Sequence, residues 1–117
     1  MKHIIIALAL LLSSAWHSSA QKNNTLVTET ITVKGTCSQC KNRIEDAAYI
    51  SGVKRAEWNK TTKELTVTYR KDKTSLNKIE ESIAKKGHDA GDVKAADQDY
   101  NKLPECCAYK HDHATDH

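Results

Sequence analysis

Four cysteines and a set of histidines carry the chemistry open to this chain. Cys37 and Cys40 frame a Cys-Ser-Gln-Cys quartet, and Cys106 and Cys107 stand side by side near the end, followed by His111, His113 and His117. Thiols on the first turn of a helix meet unpaired backbone N–H groups and the positive end of the helix dipole, and both favour thiolate over thiol. A close thiolate pair suits a soft, low-coordinate ion such as Cu(I) or Hg(II), or a reversible disulfide. Zn(II) and Cd(II) are also thiophilic, so the residue types alone leave the metal open. The tail residues Cys106, Cys107, His111 and His113 offer sulfur and imidazole for a second site or an extension of the first. Imidazole binds only when neutral.

The elements around the first pair must position it. Ile31-Thr32-Val33-Lys34-Gly35-Thr36 alternates apolar and polar residues and then frees the backbone at a glycine. Lys41 to Ala48 holds no Pro or Gly and sets Cys40, Ile44 and Ala47 or Ala48 on one helical face. A strand, a glycine, a Cys pair and a helix are together more demanding than two buried structural cysteines require. The loop carrying the pair is expected to be exposed and outside the core.

The first twenty residues read as an export signal. Met1-Lys2-His3 is a short basic start, Ile4 to Leu12 is unbroken apolar sequence, and Ser18-Ser19-Ala20 supplies small residues before Gln21. The apolar run is about half the length a spanning helix needs, so a cleaved signal over 1–20 is favoured over a retained anchor. The expected location is periplasmic or secreted, with no membrane attachment after cleavage. Removing Lys2 takes the formal charge from +3 to +2. The lysines are spread among acids, and nucleic acid is not an expected partner. All four cysteines lie in the exported part. Neither close pair would constrain much chain entropy as a disulfide, whereas a bridge between the two ends would.

Along the mature chain, 21–27 is a loose lead-in and Thr28 to Lys34 a first strand. Cys40 to Ile50 reads as a first helix, closed by Ser51-Gly52. Val53 to Asn59 is a second strand with Val53, Ala56 and Trp58. Glu64 to Tyr69 is the cleanest alternating strand. Thr74 or Ser75 caps a second helix with Leu76, Ile79, Ile83 and Ala84 on its stripe, and Gly87 stops it. His88 to Val93 is a short final strand. The order β-α-β-β-α-β predicts an α+β, ferredoxin-like sandwich, with two helices on one face of a four-stranded antiparallel sheet. A domain over 28–94 is then followed, over 95–117, by a short helix from Ala95 to Lys102, Pro104 and the Cys/His-rich tail. The last strand would run away from the Cys pair, and the short helix would carry the chain back some ~12 Å. Such a return would let Cys106 and Cys107 approach Cys37 and Cys40.

With this order, Ile31-x-Val33-x-Gly35, Cys37-x-x-Cys40, Gly52-Val53, Leu65-Thr66-Val67 and Ile83-x-x-x-Gly87 together resemble the heavy-metal-associated domain family over roughly 28–93. That family includes copper chaperones, amino-terminal modules of copper-transporting ATPases and a periplasmic mercury-binding protein. The resemblance implies binding of Cu(I) or Hg(II) at Cys37 and Cys40 and handover to a metal transporter or other metal-accepting protein. Two positions depart from it. The family usually carries Met where this chain has Gly35, which implies a more mobile loop. Its bacterial members often carry Tyr where this chain has His88. That imidazole is either an auxiliary ligand, a hydrogen-bond donor to a metal-bound sulfur, or a solvated loop residue.

The main rival is a periplasmic thiol-disulfide oxidoreductase, whose redox pair also opens a helix. Pro104 is the sole proline, whereas thioredoxin-like folds place one beside the redox pair, and the hairpin after the first helix is not their strand order. A four-cysteine zinc site departs far from zinc-finger spacing. No nucleophile–base pairing or phosphate loop suggests an enzyme.

Overall fold

A computed structural model describes residues 25–110. Residues 1–20, read above as an export signal, and the tail histidines His111, His113 and His117 lie outside them. No helix among the described residues is long and apolar enough to cross a membrane.

Three antiparallel strands form the sheet: β1 (Leu26–Thr32), β2 (Val53–Trp58) and β3 (Glu64–Arg70), in the order β1-β3-β2. The alternation of β3 decides the faces. Leu65, Val67 and Tyr69 are buried on one side, while Thr66 and Thr68 meet Thr30 and Thr28 of β1 on the other, with Oγ1–Oγ1 distances of 3.3 and 2.8 Å. Such cross-strand threonine pairs suit a solvated sheet face. The register pairs Ile31 with Leu65 and Trp58 with Leu65, so β3 sits centrally under both neighbours.

Two helices cover the apolar face, α1 (Ser38–Ala48) and α2 (Leu76–Ala84). Ile44, Ala47 and Ala48 of α1 and Ile79 and Ile83 of α2 meet Trp58, Leu65 and Val67 in one core. Ser75 caps α2, its side chain accepting the Lys78 N–H at 3.2 Å. Gly87 ends the following turn at φ +100°, a conformation that favours glycine.

The expected fourth strand is reduced to a single bridge, Val33 to Ala90. The Lys34 N–H donates to Asp89 O and the Gly91 N–H to Thr32 O, both at 2.9 Å, so the segment does lie along the end of β1. It cannot continue because Ala90 and Val93 bond to each other in a tight reversal, with Gly91 at φ +54°. The buried Glu80 carboxylate fills the space a side chain at 91 would need and accepts the Asp92 N–H at 3.1 Å. Thus a turn tied to α2 displaces strand geometry that alternation alone suggested.

The helix expected over Ala95–Lys102 is also shorter. α3 spans Asp97–Tyr100, and after Pro104 a 3-10 turn covers Glu105–Cys107. This segment is packed down rather than loose: Tyr100, Cys107 and Tyr109 are all buried. The Tyr109 hydroxyl donates to Gly87 O at 3.0 Å and accepts the Asp89 N–H at 3.1 Å. The Tyr109 ring meets Tyr100 edge-on at 5.0 Å, and the Tyr100 hydroxyl accepts the Lys110 N–H. Residues 95–110 are therefore a strap, fastened by two tyrosines across the end of the sheet that carries the Cys pair.

Candidate metal centre

The loop from Val33 to Cys37 links β1 to α1, and its two ends are fixed differently. Cys37 is the N-cap of α1 with extended backbone (φ −135°, ψ 174°), and its carbonyl accepts the Lys41 N–H at 3.2 Å. Cys40, three residues on, lies on the same helical side. The two sulfurs are 3.3 Å apart, and both cysteines are free thiols. Cys37 is half-buried, but Cys40 is fully buried and belongs to the core, contrary to the expectation that the whole loop stands outside it. The Thr36 N–H donates to the Cys40 sulfur at 3.4 Å and holds it in place.

What lies beneath the loop explains Gly35. A Cβ there would come within 3.0 Å of the Trp58 ring, 3.1 Å of Cys40 Cβ and 3.1 Å of Ile44 Cδ1. The indole thus occupies the space that a side chain at position 35 would need. It is held by its Nε1–H donating to Val33 O at 3.1 Å, while the Trp58 backbone N–H donates to Glu45 at 2.9 Å and its carbonyl accepts from Lys41 at 3.0 Å. The small residue at 35 and the large one at 58 are two halves of one packing solution.

The strap brings the other two thiols to the same place. Cys107 Sγ lies 3.6 Å and Cys106 Sγ 3.2 Å from Cys37 Sγ, and the two are 3.9 Å from each other. Cys106 and Cys107 thus stand beside the first pair, and the histidines His111 and His113 expected to join them in a second site lie outside the described residues. Among the described residues, the group whose ligand atoms fit one ion is Cys37, Cys40 and Cys107, all within 4.8 Å. The Cys106 thiol is exposed and donates to Gln39 Oε1 at 3.0 Å, and the Thr36 hydroxyl donates to the Cys106 carbonyl. Thr36, Gln39 and Tyr109 were not singled out by sequence reasoning. The one available signal was a tyrosine two residues past a cysteine pair in an otherwise polar tail.

Charge is distributed unevenly over this cluster. Burial pushes Cys37 up, but contacts with the Cys106 thiol, the Cys40 amide and the Cys40 and Cys107 thiols outweigh it and bring it from 9.0 to about 6. Burial, then the neighbouring Cys40 and Cys37 sulfurs, hold Cys107 well above the ordinary thiol value. Cys106 is raised by its contact with Cys37 and by burial. At neutral pH the cluster therefore presents a thiolate at Cys37, with protons retained on the strap. Site-resolved iodoacetamide labelling of the reduced, metal-free chain should show Cys37 reacting half-maximally near pH 6, because thiolate exists above that value and is lost below it. A midpoint near 9 would contradict the geometry.

His88 is fully buried, which excludes the solvated-loop reading. Its Nδ1–H donates to Lys34 O at 2.7 Å, which fixes the tautomer and leaves a lone pair on Nε2. Nε2 is buried without a hydrogen-bond partner among the described residues. Burial lowers the imidazole pKa, partly offset by the Lys34 carbonyl, so the ring is neutral. The sulfur group closes without it, and the contact to Lys34 ties the strap-side loop to the residue before Gly35. The ring also stacks on Tyr109 at 6.0 Å.

A heavy-metal-associated domain matches residues 28–89. The chain belongs to that family. Among solved structures, the CopZ metallochaperone is 29% identical, covering 55% of this chain and 98% of its own, with a TM-score of 0.53. Oxidized MerP from Ralstonia metallidurans CH34 is 29% identical, covering 56% and 94%, with a TM-score of 0.54. The N-terminal domain of a potential copper-translocating P-type ATPase from Bacillus subtilis, solved in its Cu(I)-loaded state, is 30% identical, covering 55% and 82%, with a TM-score of 0.52. No curated protein matches the chain. The heavy-metal-associated match ends at 89, so the strap and its two cysteines lie beyond what it covers.

Proposed function

We propose that this heavy-metal-associated protein is an exported carrier that captures Cu(I), or Hg(II), at Cys37 and Cys40 and passes it by thiolate exchange to a metal transporter or another metal-accepting protein. The observation that carries this is the pair of free sulfurs 3.3 Å apart at the β1–α1 junction, where contacts with the neighbouring thiols favour ionisation of Cys37. Soft sulfur donors without a hard oxygen ligand among them select thiophilic ions. A relative described as a metallochaperone supports a metal cargo, and one solved as a Cu(I)-loaded ATPase domain supports Cu(I).

The exchange needs a nucleophilic sulfur near solvent and a second sulfur that stays put. Cys37, half-buried and with its pKa lowered by the neighbouring thiols, meets the first requirement, and Cys40, buried in the core, meets the second. A lowered thiol is shared with disulfide oxidoreductases. The oxidoreductase reading is less well supported, because the β2–β3 hairpin follows α1, which is not the strand order of thioredoxin-like folds. The role proposed is that of a carrier rather than an enzyme, placed in the periplasm or outside the cell by the segment 1–20.

The test is an anaerobic titration of the reduced full chain against a chromophoric Cu(I) chelator. Withdrawal of one equivalent of Cu(I) per chain is expected. A chelator left fully loaded at excess protein would remove the proposal.

A further inference from the structure

We infer that Cys107 is a third sulfur ligand, so that the strap converts a two-sulfur loop into a single three-sulfur site for one thiophilic ion. The inference rests on the proposed cargo and deepens it.

Cys107 reaches the pair because of bonds that involve no sulfur. The Tyr109 hydroxyl is fastened between Gly87 O and the Asp89 N–H, Lys110 N–H donates to the Tyr100 hydroxyl, and the Thr36 hydroxyl donates to Cys106 O. The strap is thus pre-set over the loop before any ion arrives, and the ordering cost of a third ligand is already met by packing. The 3-10 turn then does what an extended chain would not. It aims the sulfurs of adjacent residues at one atom, Cys37 Sγ, from 3.2 and 3.6 Å. A cysteine serving only as apolar filling has no need of that direction.

Distances favour three sulfurs over two. With a metal–sulfur bond of about 2.3 Å, as in zinc thiolates, a linear pair needs sulfurs about 4.6 Å apart and a trigonal set about 4.0 Å. Cys37 and Cys40 sulfurs lie at 3.3 Å and Cys37 and Cys107 sulfurs at 3.6 Å, with all three inside 4.8 Å. The trigonal arrangement therefore asks for the smaller movement, and asks it of a buried Cys40 that has little room to retreat. Cys106 is outside that trio. Its exposed sulfur, held by Gln39 Oε1, stands at the rim beside Cys37, where an ion would leave or enter.

A three-sulfur site changes how cargo is released. A partner offering two thiolates must displace Cys107 as well as the loop pair, so release depends on the strap.

X-ray absorption at the copper edge, on the full chain loaded anaerobically with one equivalent of Cu(I), decides the matter. Three sulfur neighbours are expected for the parent and for Cys106→Ala, and two for Cys107→Ala. A count of two or of four in the parent overturns the inference whether or not any variant folds. Three in Cys107→Ala would equally overturn it, by showing that Cys106 supplies the ligand. If the parent takes up no Cu(I), the carrier proposal itself falls. If it takes up one ion through two sulfurs, only the role of Cys107 falls.

Discussion

Changing Cys37 to Ser and Cys40 to Ala together should lower Cu(I) affinity by several orders of magnitude while the fold survives. Both soft ligands of the loop are lost, and a neutral hydroxyl is a poor replacement for a thiolate. Alanine is the better choice at 40 because that side chain is fully buried in the core. Serine there would bury a hydroxyl with only the Thr36 N–H, 3.4 Å from the present sulfur, to satisfy it. Position 37 is half-buried at the helix cap, where serine is a favoured residue. Cys106 and Cys107, 3.9 Å apart, remain in the variant, so weak residual binding is expected rather than none. Competition with a chromophoric Cu(I) chelator measures the loss, and thermal melting of the metal-free chain checks the fold. A variant that competes as well as the parent would show that the ion binds elsewhere.

How much of this was legible in the sequence depends on whether the cause was local. The alternation in Glu64–Arg70, the apolar stripe of α2 with its Ser75 cap, and the glycine stop at 87 are set by neighbours in the chain, and each stands where the residues place it. The Cys pair at the strand–helix junction is local in the same sense. The fourth strand is reduced to the Val33–Ala90 bridge where Glu80, on α2, reaches across to the 90–93 turn, a contact between elements that no periodicity reports. His88 is buried for a similar reason: Tyr109, twenty-one positions later, stacks over it. The return of Cys106 and Cys107 to the loop was expected from a helix over Ala95–Lys102, of which α3 keeps only Asp97–Tyr100, and the fastening came instead from Tyr100 and Tyr109. Their hydroxyl partners are backbone groups and leave no trace in composition.

Gly35 and Trp58 carry the other large effect, and they should behave as a coupled pair. Trp58 is buried to 1% exposure beneath the metal loop, so Trp58→Ala empties a large volume and should cost about 3–5 kcal/mol. Gly35→Met alone forces a side chain into the indole, Cys40 and Ile44, each already within 3.1 Å of a bare Cβ, and should cost about 1–3 kcal/mol. In the double variant the methionine enters the space the indole has left. Its destabilisation should therefore be clearly smaller than the sum of the two single changes, with an interaction of at least about 0.5 kcal/mol. Denaturant unfolding of the reduced, metal-free chain supplies all four values. The same cycle bears on the site, because Cys40 Cβ is one of the walls: the single variants should shift Cu(I) affinity, and the double should restore part of it. Strict additivity in stability would mean that the two residues do not share one space. The glycine would then need a different explanation, one in the loop's backbone rather than in what packs beneath it.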